Sequence, residues 1–475
     1  MENVELREYQ DRCIKDTLAN IKKGNYQQLI SLPTGSGKTV VMSNLIPLIP
    51  SPAAKATKVL VIAHRIELIS QAKAQISKFN PNLTVEVEQG SNHCDPAATD
   101  IVVASVQSLN SKDKKDKAKL RMEKFDPKEF KALIVDEAHH AVAKTYMRVF
   151  EYFGVLERAS KVLLWGCTAT PNRADKKALD PVFGPISFHL GLLEMIDIGH
   201  LSDLRITTVD TDGFLDDDTL HRVVITSWRQ FAHQRKRKST LVFARNIEKT
   251  QDLCEDFIAE GVNARFITSK TDSKTRASIL EDFKSGKIPV LVNCAILTEG
   301  TDLPRVDCIL LARKTNSEPL FQQMLGRGSR LHGEKQDCLV VDFKNNFERL
   351  FDGMMDSQDD LDEAVNSKKK MVKKTSAKNA NKTSPEDDKY EDSLITIRHY
   401  KSLQEMIEKR RLQKEAKLLL AKSLIAQSRK SKNAAAAAAA TTTANLVLQP
   451  SLSDKIHKHL DDMTMTIRSF TVPSA

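Results

Sequence analysis

A glycine-rich segment near the N-terminus has the residue types of a phosphate-binding loop. Residues 33–39 read Pro-Thr-Gly-Ser-Gly-Lys-Thr and lie between an apolar run around Leu29 and a helical stretch that begins near Val40. Glycines let backbone N–H groups close around phosphate oxygens, and the N-terminus of the following helix adds positive potential. Lys38 is then suited to the β- and γ-phosphates of a nucleotide, and Thr39 to Mg²⁺. The predicted nucleotide-binding residues of this loop are Thr34, Gly35, Ser36, Gly37, Lys38 and Thr39.

A pair of adjacent carboxylates follows another apolar run. Asp136-Glu137-Ala138-His139 comes directly after residues 133–135, which have the composition of a buried strand. The carboxyl end of a strand in a parallel sheet is where an Asp can bind Mg²⁺, and a neighbouring Glu can orient and deprotonate a water molecule. We therefore assign Asp136 to the metal and Glu137 to the water. The alternative is a helix-capping Asp followed by an ordinary helical turn.

The elements that must position these residues follow an α/β pattern. Short apolar runs alternate with helical stretches from about residue 1 to 190, at residues 29–31, 59–62, 101–104, 133–135 and 162–165. Similar runs recur between about residues 225 and 350, at residues 240–243, 290–292, 308–311 and 338–341. Near-continuous apolar strands separated by helices are typical of a parallel sheet that is covered on both faces. The chain is therefore predicted to contain two α/β domains with parallel sheets, at residues 1–205 and 206–352.

Two charged segments interrupt or follow these domains. Residues 112–124 form a polar insert in the first domain and are predicted to be an exposed loop or short helix. This insert is either a solvated face or a phosphate-contacting one. Residues 353–392 are predicted to be a disordered charged linker, because they contain a Lys-rich run of low hydrophobicity.

The last part of the chain is basic. Residues 393–475 are predicted to be a partly disordered, basic helical tail that includes a low-complexity alanine and threonine tract. Within it, a helix from residue 393 to 432 has Leu403, Ile407 and residues 418–420 as packing positions.

The composition narrows the class of protein. The 475 residues carry a formal net charge of +10, with 28% charged and 41% hydrophobic residues. This balance is typical of a soluble protein with a basic surface. A polyanionic partner is one interpretation of the charge, and a basic protein that binds no nucleic acid is the other. The seven cysteines are scattered without a Cys-x-x-Cys pair, which argues against a disulfide framework, a zinc site or a metal cluster. No apolar run is long enough to cross a bilayer, and residues 1–5 resemble neither a signal peptide nor an organellar presequence.

The phosphate loop, the adjacent carboxylates and several further segments follow one another in the order found in superfamily 2 helicases of the DEAH-box type. The chain resembles these helicases over about residues 4–345. Besides the phosphate loop and the Asp-Glu-Ala-His segment, the resemblance rests on residues 323–330, which read Gln-Met-Leu-Gly-Arg-Gly-Ser-Arg. Further matching segments are residues 6–10, 63–71, 100–109, 168–171, 241–246 and 293–304. The resemblance implies two tandem RecA-like domains that bind ATP and Mg²⁺ between them.

The resemblance also implies roles for residues outside the phosphate loop. Gln10 would read the adenine edge, and Asp302 would meet the ribose or the arginine network. Arg327 and Arg330 would reach across the cleft and neutralise the charge that develops on the γ-phosphate. A surface salt bridge is the alternative for each arginine. The predicted catalytic residues are Lys38, Glu137, Gln323, Arg327 and Arg330.

The nucleic-acid side of the resemblance rests on fewer residues. In this superfamily the matching segments touch the sugar–phosphate backbone, which gives binding without base readout. The predicted contact residues are Arg65, Gln107, Arg245 and Thr298. Each has a loop or helix-cap role as its alternative. Thr168, Thr170 and Asp302 would couple the state of the nucleotide to the nucleic acid.

Details of these segments favour a DNA-directed translocase. Residues 168–171 read Thr-Ala-Thr-Pro, where RNA-directed DEAD-box proteins usually have Ser-Ala-Thr. Residues 296–304 and 321–332 look most like the fungal mitochondrial helicase family that branch-migrates forked DNA. The resemblance implies unwinding or branch migration of forked double-stranded DNA in mitochondria, with residues 393–432 gripping branched DNA. The alternatives are an RNA helicase or a non-catalytic nucleic-acid-binding scaffold, and a nuclear or cytoplasmic location.

Overall fold

The structure, a computed structural model, places two β-sheets along the chain, each flanked by helices. It describes residues 5–63, 66–113, 116–169, 179, 181–184, 186–210, 216–294, 296–297, 301–350, 396–412 and 465–466. Within these ranges, no helix is both long enough and apolar enough to cross a membrane.

The first sheet has seven strands in the described part of the chain. They are β1 (Gln27–Ser31), β2 (Lys58–Ala63), β3 (Val85–Glu88), β4 (Ile101–Ser105), β5 (Phe130–Asp136), β6 (Leu163–Thr168) and β7 (Ile186–His189). Their order is β3-β4-β2-β5-β6-β1-β7, and the pairings are parallel, as predicted. The five predicted apolar runs all lie in this sheet. The edge strands β3 and β7 were missed, because their residues alternate between apolar and polar types.

Helices cover both faces of the first sheet. They are α1 (Glu8–Lys22), α2 (Lys38–Leu45), α3 (Ile66–Phe79), α4 (Val106–Leu109), α5 (Lys144–Tyr152) and α6 (Leu192–Asp197), with 3-10 turns at Ile46–Leu48, Arg121–Lys124, Pro127–Glu129 and Ala138–His140. In strand β2, Val59 and Val61 pack into one core, and Leu60 and Ile62 pack into the core on the opposite face. Because both faces are buried, the central strands are apolar throughout.

The second sheet has eight strands in the described part of the chain. They are β8 (Asp203–Asp210), β9 (Thr240–Phe243), β10 (Ala264–Ile267), β11 (Val290–Asn293), β12 (Cys308–Leu311), β13 (Asp337–Asp342), β14 (Thr396–Tyr400) and β15 (Met465–Thr466). Their order is β10-β11-β9-β12-β13-β8-β14-β15, parallel from β10 to β8 and antiparallel beyond β8. The helices are α7 (Asp217–Ser227), α8 (Ile247–Ala259), α9 (Ser273–Lys284) and α10 (Glu318–Leu325), with a π-helical turn at Trp228–His233. Strand β8 crosses the domain boundary predicted between residues 205 and 206.

The C-terminal segment joins the second sheet as a strand, so the helix predicted to begin at residue 393 is wrong at its start. Strand β14 pairs antiparallel with β8. Without this partner, β8 would be an edge strand with unpaired backbone groups. A helix follows at residues 403–412, and Leu403 and Ile407 pack into the core as predicted. Residues 353–392 and 418–420 lie outside the described residues.

A buried carboxylate anchors the charged insert to the first sheet. Glu88, at the end of β3, is fully buried and pairs with Arg121 and with Lys124, whose Nζ lies 2.5 Å from Glu88 Oε2. Arg121 is only 4% exposed, so the insert is exposed at Lys117 and Lys119 but not at its C-terminal end. Burial alone would raise the pKa of Glu88, but hydrogen bonds from Lys124, the Cys94 N–H and Arg121 outweigh burial and hold that pKa below its usual range.

Glu88 should therefore contribute pH-dependent stability. A carboxyl whose pKa is lower in the folded state stabilises the fold above its unfolded pKa, and this contribution disappears as the pH falls through the folded pKa. We expect Glu88→Gln to lower the free energy of unfolding by about 3 kcal/mol at neutral pH, because Arg121 and Lys124 lose their anion. Urea denaturation across the acid range measures this difference, which should shrink as the pH falls.

Glu129→Gln is the matched control. Glu129 pairs with Lys58 at 2.6 Å but its side chain is 39% exposed, so its loss should cost less than about 1 kcal/mol. Equal losses in the two variants, or a Glu88→Gln loss that does not change with pH, would contradict the buried-anchor account.

Candidate nucleotide site

Most of the predicted nucleotide-binding residues line one cleft, which lies between the two domains. Its volume is about 390 Å³. The predicted residues that line it are Thr34, Gly35, Gly37, Lys38, Thr39, Asp136 and Glu137 from the first domain, and Asp302, Arg327 and Arg330 from the second. Both domains therefore contribute to one cleft.

The phosphate loop turns tightly through two glycines. Gly35 has φ 91° and Gly37 has φ 79°, in the left-handed region where residues with a Cβ are strained. A Cβ at Gly37 would lie 2.8 Å from Gln10 Nε2, and one at Gly35 would lie 3.1 Å from Arg330 Cγ. Helix α2 begins at Lys38, directly after Gly37, so its N-terminus lies at the loop.

The charged groups of the first domain lie close together inside the cleft. Lys38 Nζ donates a hydrogen bond to the Leu32 carbonyl oxygen at 3.3 Å. Burial and then the neighbouring charge of Glu137 raise the pKa of Asp136, while the charge of Lys38 opposes the rise. A buried carboxylate beside a second carboxylate is stabilised in its charged form by a cation. Asp136 therefore has the environment of a metal ligand.

Glu137 holds an uncommon backbone conformation. Its φ is 51°, which for a residue other than glycine costs about 1–3 kcal/mol and is found mostly at functional sites. Glu137 Oε2 lies 3.3 Å from His139 Nδ1, which in turn lies 3.1 Å from Thr168 Oγ1. The end of β5 is therefore connected to the end of β6 through His139. Thr168 belongs to the predicted coupling segment, and Thr170 lies outside the described residues.

The two arginines of the second domain line the cleft opposite the phosphate loop, and Arg330 packs over Gly35. Arg330 donates hydrogen bonds to Asp302 Oδ1 and to the Thr301 carbonyl oxygen, the latter at 3.0 Å. Arg327 is 2% exposed and donates to the same carbonyl. Asp302 therefore meets the arginine network, which was one of its two predicted roles.

Direct packing brings the second domain close to the phosphate loop. A Cβ at Gly326, just before Arg327, would lie 2.5 Å from Thr34 Cβ. The side chain of Arg330 packs in the same way over Gly35. The Ser202 N–H, one residue before β8 of the second sheet, donates to the Ser329 carbonyl oxygen at 2.6 Å. The position of the arginines therefore depends on close contact between the domains.

Three predicted site residues, Gln10, Gln323 and Ser36, do not line the cleft. Gln10 is 5% exposed; its Nε2 donates to the Ser36 carbonyl oxygen at 3.3 Å, and its Oε1 accepts from the Arg7 N–H at 3.1 Å. Both ends of its carboxamide are thus used within the first domain, where they support the phosphate loop. Gln323 is 4% exposed on α10 and does not line the cleft, and neither does Ser36.

Arg7, Tyr9 and His200, to which the sequence analysis gave no role, lie at or beside the cleft near the phosphate loop. Arg7 and His200 line the cleft, and Arg7 Nη1 donates to the His200 carbonyl oxygen at 3.4 Å. The ring of Tyr9 lies 5.0 Å from that of His200, and its hydroxyl donates to the Ser36 carbonyl oxygen. Arg7 and Tyr9 belong to the matching segment at residues 6–10. His200 precedes β8 and has no motif to identify it.

The predicted nucleic-acid contacts are only partly within the described chain. Gln107 is exposed on α4, at the carboxyl end of β4. The side chain of Arg245 is 63% exposed beyond the carboxyl end of β9, with Nη2 3.4 Å from Asp217 Oδ2. Arg65 and Thr298 lie outside the described residues, so their roles stay predictions.

Comparisons with known proteins agree with this architecture. The protein-family model of the res subunit of type III restriction enzymes matches residues 3–173 of the sequence. The family model of the helicase conserved C-terminal domain matches residues 219–332. The candidate ATP-dependent helicase IRC3 of Saccharomyces cerevisiae is 37% identical over 71% of this chain. The candidate mitochondrial ATP-dependent helicase irc3 of Schizosaccharomyces pombe is 34% identical over 73% of this chain. The chain belongs to superfamily 2 of helicases.

The match to these superfamily 2 relatives is partial in length. The chain spans 51% of the Saccharomyces protein and 58% of the Schizosaccharomyces protein. Among solved structures, the ATP-dependent type ISP restriction–modification enzyme LlaBIII bound to DNA has a TM-score of 0.56 at 18% identity, over 72% of this chain and 28% of that chain. This likeness shows the fold, which is two tandem RecA-like domains.

The packing of Gly326 on Thr34 gives a test of the cleft. We expect Gly326→Ala to raise the Kd for a non-hydrolysable ATP analogue about tenfold, because overpacking costs about 1–3 kcal/mol and 1.4 kcal/mol is a factor of ten. Titration of a fluorescent analogue in the presence of Mg²⁺ measures this change. Gly333→Ala is the control, since a Cβ at Gly333 meets nothing within 4 Å. Equal affinities in the two variants would show that the domains do not share the nucleotide.

Proposed function

We propose that this protein is an ATP-driven motor on DNA, a helicase or translocase that hydrolyses ATP in the cleft between its RecA-like domains. One observation carries the proposal. Lys38, Asp136 and Glu137 of the first domain face Arg327 and Arg330 of the second across one cleft. Such an arrangement surrounds a terminal phosphate with positive charge from two bodies that can move relative to each other.

The phosphate loop fits a polyphosphate. The hydroxyl oxygens of Thr34 and Ser36 are buried and have no hydrogen-bond partner within the described chain. Buried hydroxyls normally have a partner, so both oxygens are suited to a ligand or to water that a ligand displaces. Of the two, Thr34 lines the cleft, and with Lys38 and the N-terminus of α2 it forms a cradle for the β- and γ-phosphates.

The same cleft fits Mg²⁺. Thr39 and Asp136 both line it and supply the oxygen ligands that Mg²⁺ prefers. Burial and the neighbouring Glu137 raise the pKa of Asp136, and a bound cation would oppose that rise by stabilising the carboxylate. When bound, Mg²⁺ neutralises charge on the phosphate oxygens. We assign Thr39 and Asp136 to hold it.

Side chains of both domains have separate roles in the proposed hydrolysis. Glu137 orients the attacking water and accepts its proton, and its backbone conformation fixes the carboxylate at the end of β5. Arg327 and Arg330 stabilise the charge that develops on the γ-phosphate. Asp302 and the Thr301 carbonyl oxygen hold the Arg330 guanidinium through one nitrogen, Nη1, which leaves its other donors for phosphate.

Hydrolysis in this arrangement depends on domain position. The arginines are held at the phosphate loop by the packing of Gly326 against Thr34 and of Arg330 over Gly35. The His139–Thr168 contact connects the catalytic carboxylate to the end of β6, from which the predicted coupling segment continues. We therefore propose that ATP binding and release move the domains along a nucleic acid held at Gln107 and Arg245.

We propose DNA as the nucleic acid and mitochondria as the location. The net charge of +10 suits a polyanion, and the name of the Schizosaccharomyces relative places that protein in mitochondria. The match to the res subunit of restriction enzymes supports DNA. Forked or branched double-stranded DNA is the proposed substrate, with residues 393–432 as an additional grip. RNA stimulation of hydrolysis is the competing outcome.

Variants in the cleft should separate turnover from nucleic-acid binding. We expect Lys38→Ala and Glu137→Gln to abolish ATP turnover, and Arg330→Ala to lower kcat by about three orders of magnitude, because each removes a group that acts on the transferred phosphoryl. Binding of labelled DNA should persist, since the predicted contact residues lie elsewhere. A steady-state ATPase assay and fluorescence anisotropy measure the two properties. Wild-type turnover in Glu137→Gln would overturn the catalytic assignment.

A substrate panel tests the proposed nucleic acid. ATPase activity is measured with no nucleic acid, with RNA, with single-stranded DNA and with forked DNA, and strand separation is followed on the fork. We expect the largest stimulation with forked DNA. Stimulation by RNA alone would replace DNA with RNA in the proposal, and no hydrolysis under any condition would leave a non-catalytic scaffold.

A further inference from the structure

Three basic residues occupy one row beyond the carboxyl edge of the second sheet. Strands β9, β12 and β13 are neighbours, and Phe243 lies opposite Leu311, which lies opposite Asp342. Each of these three residues is followed, two positions later in the sequence, by a basic residue. The three basic residues are Arg245, Arg313 and Lys344. Neighbouring strands are about 4.8 Å apart, so the row spans about 10 Å.

We propose that the row formed by Arg245, Arg313 and Lys344 binds the phosphate backbone of a nucleic acid. The proposal rests on the proposed function. It extends the nucleic-acid contact surface from Arg245, after β9, to the loops that follow β12 and β13. None of the three residues lines the nucleotide cleft. The row can therefore hold nucleic acid while ATP is bound.

A buried polar framework fixes the backbone under this row. Asn346 is fully buried; its Nδ2 donates to the Arg313 carbonyl oxygen and to Asp342 Oδ1, each at 2.9 Å. Its Oδ1 accepts from the Thr315 N–H at 2.9 Å. Asp342 Oδ1 also accepts from the Lys344 N–H at 3.1 Å. The loops after β12 and β13 are thus tied together, so Arg313 and Lys344 are held side by side before any ligand binds.

The row has more positive charge than its surroundings neutralise. Within the described part of the chain, neither Arg313 nor Lys344 forms an ion pair, and the buried Nε of Arg313 has no hydrogen-bond partner. Asp217 Oδ2 lies 3.4 Å from Arg245 Nη2 and 3.5 Å from Lys249 Nζ, while the buried Asp342 carboxylate accepts from backbone N–H groups and from Asn346 Nδ2. Burial, and then the neighbouring Arg245, lower the pKa of Lys344, while Asp217 opposes the shift.

This arrangement favours phosphate as the ligand. Like charges held together weaken a fold unless an anion joins them. The ion pair of Arg245 with Asp217 is exposed, with side chains 63% and 36% exposed, so it costs little to exchange for a phosphate oxygen. Guanidinium and ammonium groups on a fixed backbone recognise successive phosphates without reading bases.

The salt dependence of binding tests the row. Each phosphate contact adds about 0.7–0.9 to the slope of log K against log salt, so Arg313→Gln with Lys344→Gln should lower the slope by about 1.5. We expect the affinity for labelled single-stranded DNA to fall roughly tenfold at moderate salt, with an equal loss for RNA of the same length. Fluorescence anisotropy over a salt series measures both, and the melting temperature reports whether the variant is folded.

Two further variants make the result specific. Arg313→Lys with Lys344→Arg keeps the charges and should keep the slope. Lys287→Gln removes an exposed lysine that precedes β11 at the opposite edge of the sheet, where Lys287 pairs with Asp282 at 3.0 Å, and should bind as the wild type does.

The possible failures are distinguishable. If the wild type binds nucleic acid and the double Gln variant keeps its affinity and slope, the row is overturned while the proposed function stands. A loss confined to DNA or to RNA would overturn phosphate recognition. If the wild type binds neither polymer, the proposed function fails and the row fails with it.

Discussion

The proposed binding of a triphosphate requires positive groups to balance its negative charge, and in this protein the positive groups that line the cleft belong to two separate domains. Lys38 and the N-terminus of α2 come from the first, and Arg327 and Arg330 come from the second. The packing between the domains is close enough that a methyl group at Gly326 would overlap Thr34. The chemistry of the cleft therefore depends on a domain contact, and any movement that opens the contact withdraws the arginines from the phosphate loop.

The surrounding fold keeps each half of the cleft rigid. Both faces of the first sheet are buried, so the ends of β1, β5 and β6 present the phosphate loop, Asp136 and Thr168 from a fixed frame. Buried polar groups do the same for loops that have few apolar contacts. Glu88 anchors the charged insert, and Asn346 ties the loops after β12 and β13. Rigid halves with a changeable contact between them are what a motor of this superfamily requires.

Much of the fold was predictable because buried parallel strands are apolar along their whole length. Strands β3 and β7 were missed because edge strands alternate in polarity. Strand β14 was missed for a different reason. Its pairing depends on the open edge of β8, which is distant in sequence. The basic residues around β14 favoured a helix, and only residues 403–412 adopt one within the described segment.

Part of the candidate site was also predictable from the sequence, and part depends on contacts between residues that are distant in sequence. The phosphate loop, the two carboxylates and the arginines were predicted because phosphate chemistry requires those residue types in that order. The role of Gln10 as a support for the loop depends on hydrogen bonds that the sequence does not contain. His200 has no motif, and the row of Arg245, Arg313 and Lys344 becomes visible only when the register of three strands is known.

A structure of the protein with Mg²⁺ and an ATP transition-state analogue tests most directly whether both domains hold the γ-phosphate. We expect the γ-phosphate mimic to lie about 3 Å from Lys38 and, at the same time, from the guanidinium groups of Arg327 and Arg330. A mimic held by the phosphate loop alone, with both arginines directed away from it in the fully liganded state, would show that the second domain does not take part.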